Sequence, residues 1–149
     1  MARDGEQAVA VGASLGRGET LGTGDRHVGA LRRFLARLSE TDEQRMDEEL
    51  RAWADSIPGT VRIADAPPRQ RVKLAGMVRR ITVRPVEGFE ALEVVLTDGT
   101  GMVTARWLGR RKIPGLLLGS YLVIEGVLGE EQGVRRMVNP TFEFLPPPH

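Results

Sequence analysis

Between Arg71 and Val83 the apolar residues keep a two-residue period and then change phase. Val72, Leu74, Gly76 and Val78 share one parity, with Arg71, Lys73, Met77 and Arg79 on the other; after Arg79-Arg80 the apolar parity passes to Ile81 and Val83. Successive side chains of a strand point to opposite faces, so a one-residue slip turns the buried face towards water. A change of phase inside a strand therefore predicts a β-bulge or a sharp bend, and Gly76 marks the same stretch as bendable. A long, bent strand is what a small barrel needs if one strand is to pair with two neighbours around a corner.

The segments that follow supply the neighbours. Leu92, Val94 and Leu96 alternate before Asp98-Gly-Thr-Gly101, and Val103, Ala105 and Trp107 alternate after it, which reads as two strands joined by a turn that glycine makes possible. Arg84 to Gly88 is the expected connection into that hairpin. Gly109-Arg-Arg-Lys-Ile-Pro-Gly115 is a basic loop ending in a Pro-Gly turn, and a helical turn is expected at Leu116 to Leu118. Ser120 to Leu128 reads as the fourth strand, with Leu122, Ile124 and Leu128 inward and Gly126 letting it curve. Gly129 to Gly133 is a polar turn. The fifth strand runs from Val134 to Val138 and from Thr141 to Leu145, interrupted at Pro140, which cannot donate to a ladder. Phe142 and Phe144 are expected in the core.

Ahead of the barrel the chain changes character. Residues 1–26 show no sustained period and read as a disordered leader, without the apolar run of a signal peptide. From His27 to Ile57, Leu31, Phe34, Leu35 and Leu38, then Met46, Leu50, Trp53 and Ile57, recur at helical spacing. Thr41-Asp-Glu-Gln44 between the two groups has the pattern of a capping box, so one bent helix or two short ones are expected. The apolar stripe either covers the barrel or pairs with a second copy or a protein partner. Pro58 to Arg69 has the punctuation of a linker, residues 70–145 form the barrel domain, and residues 146–149 are a tail. No apolar tract reaches the roughly 20 residues of a membrane span, and cysteine is absent, so a cytoplasmic protein with no membrane partner is expected.

The five expected strands, the bent first one and the connection between the third and fourth describe an all-β OB-fold, a five-stranded Greek-key barrel, here with an N-terminal α-helical appendage. Val72-x-Leu74-x-Gly76-x-Val78, Leu96-Thr-Asp98-Gly-Thr-Gly101, Gly119 and Val123-x-Glu125-Gly126 resemble the nucleic-acid-binding OB domains of the tRNA-anticodon type. The wedge domain of branch-migrating helicases is similar. Trp107-Leu-Gly109 with Ile113-Pro-Gly115 and Asn139-Pro140 resembles a narrower group, small stand-alone actinobacterial OB-fold proteins, in which a segment like Leu31 to Leu50 precedes the barrel. The resemblance spans Leu31 to Leu145. It implies a nucleic-acid-binding module, with DNA repair or recombination as a setting.

The residues themselves offer no catalytic constellation. Histidine occurs only at His27 and His149, and the four serines (Ser14, Ser39, Ser56 and Ser120) have no histidine partner in prospect. Asp98-Gly-Thr-Gly101 lacks the Lys-Ser/Thr ending of a phosphate loop and joins two strands. The expectation is therefore a non-enzyme with no cofactor and no metal. Charge points to binding. Net charge is only +1, but 12 basic against 8 acidic residues fall in Arg69 to His149, and 9 against 12 before it. OB-folds take single strands across their outer face, with cations tracking phosphates and aromatic rings stacking on bases. The candidate nucleic-acid-binding residues are Arg71, Lys73 and Arg79 on the outward parity, with Arg80 beside the bend. Thr104 and Arg106 on the third strand, Arg110, Arg111 and Lys112 in the basic loop, and Arg135 on the last strand join them. Arg135 is outward if Val134 and Val138 face in. Phe89 is a candidate stacking ring; Trp107 either caps the barrel or stacks on a base; Tyr121 is open. The expected ligand is single-stranded DNA or RNA with little sequence preference. The alternative is a protein-interaction module docking through the helix or the barrel.

Overall fold

A computed structural model describes residues 22–148 of the chain. Two units are formed, Met1–Glu43 and Gln44–His149. The expected leader falls mostly outside the described residues; its last part, from Gly22, is helical. Helix α1 runs unbroken from Gly22 to Asp55. No capping box interrupts it, because the Thr41 hydroxyl donates back to the Arg37 carbonyl at 2.9 Å, as a mid-helix threonine does. In the first unit Val28, Leu31, Phe34, Leu35 and Leu38 are all exposed.

The second unit holds the rest of α1, a short 3₁₀ turn at Ile63–Asp65, and seven strands. These are β1 (Arg71–Val86), β2 (Phe89–Thr97), β3 (Met102–Leu108), β4 (Tyr121–Val127), β5 (Gly129–Glu131), β6 (Val134–Val138) and β7 (Thr141–Leu145). The hydrogen-bonded order is β5-β6-β3-β2-β1-β4-β7. Strand β1 does what its change of phase requires. Arg71 to Met77 pair with β4, Met77 to Val86 pair with β2, and the register slips between Val78 and Arg80, leaving Arg79 in a bulge. It continues through Pro85 to Val86, beyond the expected end, and turns at Glu87-Gly88. Both of those residues have positive φ, as a two-residue hairpin turn demands.

The expected fifth strand is divided. Strand β6 runs parallel to β3, and β7 antiparallel to β4, so one stretch of chain serves both margins of the sheet. Asn139 makes the joint. It takes positive φ, donates its N–H to the Arg106 carbonyl at 2.7 Å, and accepts the Leu108 N–H on its side-chain oxygen at 2.9 Å. No ladder joins β5 to β7, so the barrel is partly open, as OB-folds are. The short β5 is a hairpin arm of β6 that replaces part of the expected polar turn. Connected in this way, the strands have the OB-fold topology.

Leu74, Leu92, Val94, Leu96, Leu122, Ile124, Leu128 and Met137 are fully buried inside the sheet. Each contributes about 1.5–3 kcal/mol for the apolar area removed from water. Phe142 packs at the margin of this core, while Phe144, expected inside, is 40% exposed. The expected helical turn at Leu116 to Leu118 is absent: two successive turns carry the chain there, and Ile113 and Leu116 plug the barrel from them. On the outside, Leu50 and Ala54 of α1 are buried, Ala54 clusters with Ala75 and Val123, and Trp53 meets Tyr121 edge-on at 4.9 Å.

The segment expected as a linker is part of the domain. Ile63 is fully buried in the core, and its N–H donates to the Asp98 carboxylate at 2.9 Å. Arg62 reaches back to Asp55 at 2.8 Å; that hydrogen bond, and the guanidinium charge behind it, hold the Asp55 carboxyl below its ordinary range.

Candidate nucleic-acid interface

The bulge in β1 decides which face carries what. Before it, the outward side chains are Arg71, Lys73 and Ala75, and Ala75 is covered by α1. After it, the ladder sets Arg80, Val95, Thr104 and Arg136 side by side across β1, β2, β3 and β6. The next outward row is Thr82, Glu93, Arg106 and Val138. These rows, apart from Val138, are the floor of a groove of about 680 Å³, with the β5–β6 hairpin contributing Gly133 to Arg136 to its lining. Six arginines line it (Arg79, Arg80, Arg84, Arg106, Arg135 and Arg136), and Glu93 is its one carboxylate. Its apolar surface is aliphatic: Val95, with Met102 63% exposed and Val134 43% exposed.

The structure therefore gathers Arg79, Arg80, Thr104, Arg106 and Arg135 from the expected set. It places the others elsewhere. Arg71 pairs with Glu125 at 3.3 Å in a separate concavity with Arg69, and Lys73 lies half-buried beneath Gly59. Trp107 is only 4% exposed; its indole N–H donates to the Pro140 carbonyl at 2.9 Å, and its ring meets Phe142 edge-on at 5.4 Å. It packs from β3 against Phe142 of β7 and has no free face for a base, so its stacking role is corrected to a core one. Arg110, Arg111 and Lys112 are exposed in the loop after β3 and do not line the groove; Arg111 pairs with Glu90 at 3.2 Å. Phe89 is 45% exposed at the β1–β2 hairpin and is also outside the groove lining.

The phase expected for β6 is reversed. Met137 faces the core, Val134 and Val138 are exposed, and Arg135 bends to donate to the Ala64 carbonyl at 3.0 Å. The joint at Asn139 shifts the two halves of the strand against each other, so the alternation of β7 does not carry back into β6. Arg136 is consequently a groove residue that the expected set does not include. Its Nη1 pairs with Glu131 at 2.8 Å.

Two more charged groove residues were missed. Arg84 follows Arg80 and Thr82 on one parity after the bulge, a signal hidden by ending the strand at Val83 ahead of Pro85. Glu93 stands directly across from Arg106, and Arg84 is its diagonal neighbour. Its carboxylate is 9% exposed, takes Arg84 Nε on one oxygen at 2.8 Å, and takes Arg106 Nε on the other at 2.7 Å, with Arg106 Nη2 on the same oxygen. A carboxylate this far out of water requires such partners.

Among the described residues no group of three or more His, Cys, Asp or Glu side chains is disposed to hold a metal, and no helix is long and apolar enough to cross a membrane.

No family profile matches the chain. No curated protein sequence matches it. Among solved structures it is similar to RecG bound to a three-way DNA junction, with a TM-score of 0.49 and 19% identity over 59% of this chain and 12% of that one. It is also similar to a chain of a replication protein A heterotrimer bound to ssDNA, with a TM-score of 0.42 and 16% identity over 66% of this chain and 77% of that one. The chain thus spans a small part of the RecG chain. What the fold and the site define is an OB-fold module with an arginine-lined groove across its β1–β2–β3–β6 face.

Proposed function

We propose that the protein binds single-stranded DNA or RNA in this groove, mainly through phosphate contacts, and that it performs no catalysis. The observation that carries the reading is the convergence of six arginines, from the three strands β1, β3 and β6, on one concave face with a single carboxylate. Cations so placed neutralise a phosphate backbone and release its counterions. The aliphatic floor offers exposed base faces a surface that a duplex, with its bases stacked inside, cannot use. With no aromatic ring in the groove lining, each base lacks the roughly 1–3 kcal/mol that a stacking platform supplies. Binding is then weak, tolerant of sequence and dominated by salt.

The test is fluorescence anisotropy with labelled mixed-sequence single-stranded DNA, its RNA equivalent and a duplex, over several salt concentrations. Four to six phosphate contacts give a log–log salt slope of about −3 to −4 for a single strand. The variant R79Q/R80Q should weaken binding and make the slope shallower by about 1.4, at roughly 0.7 per phosphate contact. A comparison variant, R110Q/R111Q/K112Q, measures what the exposed loop adds. Absence of binding by folded protein at low salt, or binding indifferent to the groove charges, overturns the reading.

A second reading is docking to a protein partner or a second copy of the chain. One observation favours it: the side chains of Leu31, Phe34 and Leu35 in α1 are 57%, 57% and 53% exposed. It predicts association that the groove variants leave unchanged and that polar substitutions at Leu31 and Leu35 abolish.

A further inference from the structure

Glu93 poses a problem for an electrostatic site. A carboxylate on the floor of an anion-binding groove repels the ligand, yet this one is more deeply buried than any groove arginine for which an ion pair is formed. Its geometry gives the reason. It lies on β2, between Arg84 on β1 and Arg106 on β3, and divides its two oxygens between them. Arg106, with its side chain 21% exposed, is held side-on through Nε and Nη2; Arg84, 60% exposed, is held through Nε. A guanidinium carries five N–H donors, so each arginine keeps donors for a ligand after satisfying Glu93. The three groups together carry one net positive charge, the complement of one phosphodiester.

Resting on the nucleic-acid reading of the groove, we infer that Arg84, Glu93 and Arg106 form one preorganised phosphate subsite, in which Glu93 is the positioning residue. A free arginine loses rotamer freedom when it meets a phosphate. Arginines already locked by Glu93 have lost it in the folded protein, and their planar forks meet the phosphate in a fixed orientation. Glu93 itself does not read a base, because both its oxygens are engaged.

The sign of one substitution separates this role from that of a charge counterweight. E93Q raises the net charge of the groove by one. If Glu93 only offsets charge, E93Q binds a single strand more tightly and with a steeper salt slope. If it positions the arginines, E93Q binds about tenfold more weakly, the loss expected for one charge-assisted contact, and the slope becomes shallower by about 0.7. The experiment is anisotropy titration of a labelled mixed-sequence single-stranded DNA with the full chain, wild type and E93Q, each confirmed folded by its thermal melt. The same substitution is then made in R84Q/R106Q. With no arginines to position, removing the carboxylate should now tighten binding, and this reversal of sign is a readout that a merely structural glutamate does not give.

Wild-type protein that binds no strand at low salt refutes the groove reading itself. Wild-type protein that binds, with E93Q equal to it or tighter, refutes the inference alone. Should E93Q not fold, the wild-type chain still decides. The Nε–H proton of Arg106 should exchange with water more slowly than those of Arg79 and Arg80 by NMR, before and after DNA is added. Equal exchange in the free protein, or loss of the protection on binding, refutes the inference.

Discussion

Asp98 is the residue on which the lower end of the barrel depends, and its replacement gives a graded prediction. Its carboxylate is 1% exposed and accepts four hydrogen bonds: the Ile63 N–H at 2.9 Å on one oxygen, and the Thr100 N–H, the Thr100 hydroxyl and the Gly101 N–H at 2.8, 2.6 and 3.3 Å on the other. The first ties the 3₁₀ turn to the β2–β3 hairpin and sets Ile63 in the core. The rest hold the turn. Asp98→Ala removes every acceptor. The Ile63 N–H is then buried without a partner, costing about 1–3 kcal/mol, while the turn donors, which water reaches in part, add about 1 more. A loss of about 2–4 kcal/mol follows, a large share of the 5–15 kcal/mol by which domains are stable. Asp98→Asn keeps an acceptor for the turn but sets an amide N–H₂ against the Ile63 N–H, a loss of about 1–2 kcal/mol.

Urea unfolding is the measurement. The midpoints should fall in the order wild type, D98N, D98A with the slope m unchanged, since the surface exposed on unfolding is the same. In a thermal melt D98A should drop by about 8 °C or more, at roughly 4 °C per kcal/mol for a domain of this size. Below its transition D98A should bind nucleic acid as wild type does, because Asp98 does not line the groove. A D98A midpoint within about 1 kcal/mol of wild type, or D98N indistinguishable from it, would show that the turn reaches the barrel without this carboxylate and refute the argument.

Two further substitutions test neighbouring claims. Trp107→Phe should cost about 1–3 kcal/mol, because it strands the Pro140 carbonyl and leaves a void beside Phe142, while DNA affinity stays within twofold; a selective loss of affinity in a fully stable W107F would restore the stacking role. Gly99→Ala faces two obstacles, a φ of +87° and a Cβ that runs into the Asp47 carbonyl oxygen, so the C-terminal part of α1 must lift from the hairpin. Beyond the roughly 1–2 kcal/mol of left-handed strain, a change in Trp53 fluorescence should report the displaced helix, and an unaltered emission spectrum in a destabilised G99A would count against that contact.

The fold was legible where a physical rule left one solution. The phase change at Arg79 admitted only a bulge or a sharp bend, and Val103, Ala105 and Trp107 admitted only one face for Arg106. Legibility failed where a local irregularity broke the rule. Val134 and Val138 read as inward, whereas Met137 faces the core, and Arg136, which lines the groove beside Arg135, was missed as a result. Pro85 was read as a stop, though a proline whose missing N–H is not needed can sit near a strand end, and Arg84 was lost with it. The linker is a different case. Pro58-Gly59 and Pro67-Pro68 punctuate it correctly, but that Ile63 is buried depends on Asp98, which lies 35 residues away. No local pattern carries such information.

The same irregularity that makes the fold recognisable also makes the site. Without the slip at Arg79, the outward parity of β1 would run straight from Arg71 and Lys73 into the far half of the strand. Arg79 and Met77 would share a face with Ile81 and Val83, and Arg80 and Arg84 would point into the barrel. By inserting one residue, the bulge gives β1 two outer faces. One is small and apolar at Ala75, where α1 packs, and the other is cationic at Arg80 and Arg84, where the groove lies. Two consecutive arginines at that point are then consistent with the fold as well as the charge. A bulge leaves one residue unpaired and bends the strand outward, and Arg79 and Arg80 both remain exposed there without burying a guanidinium.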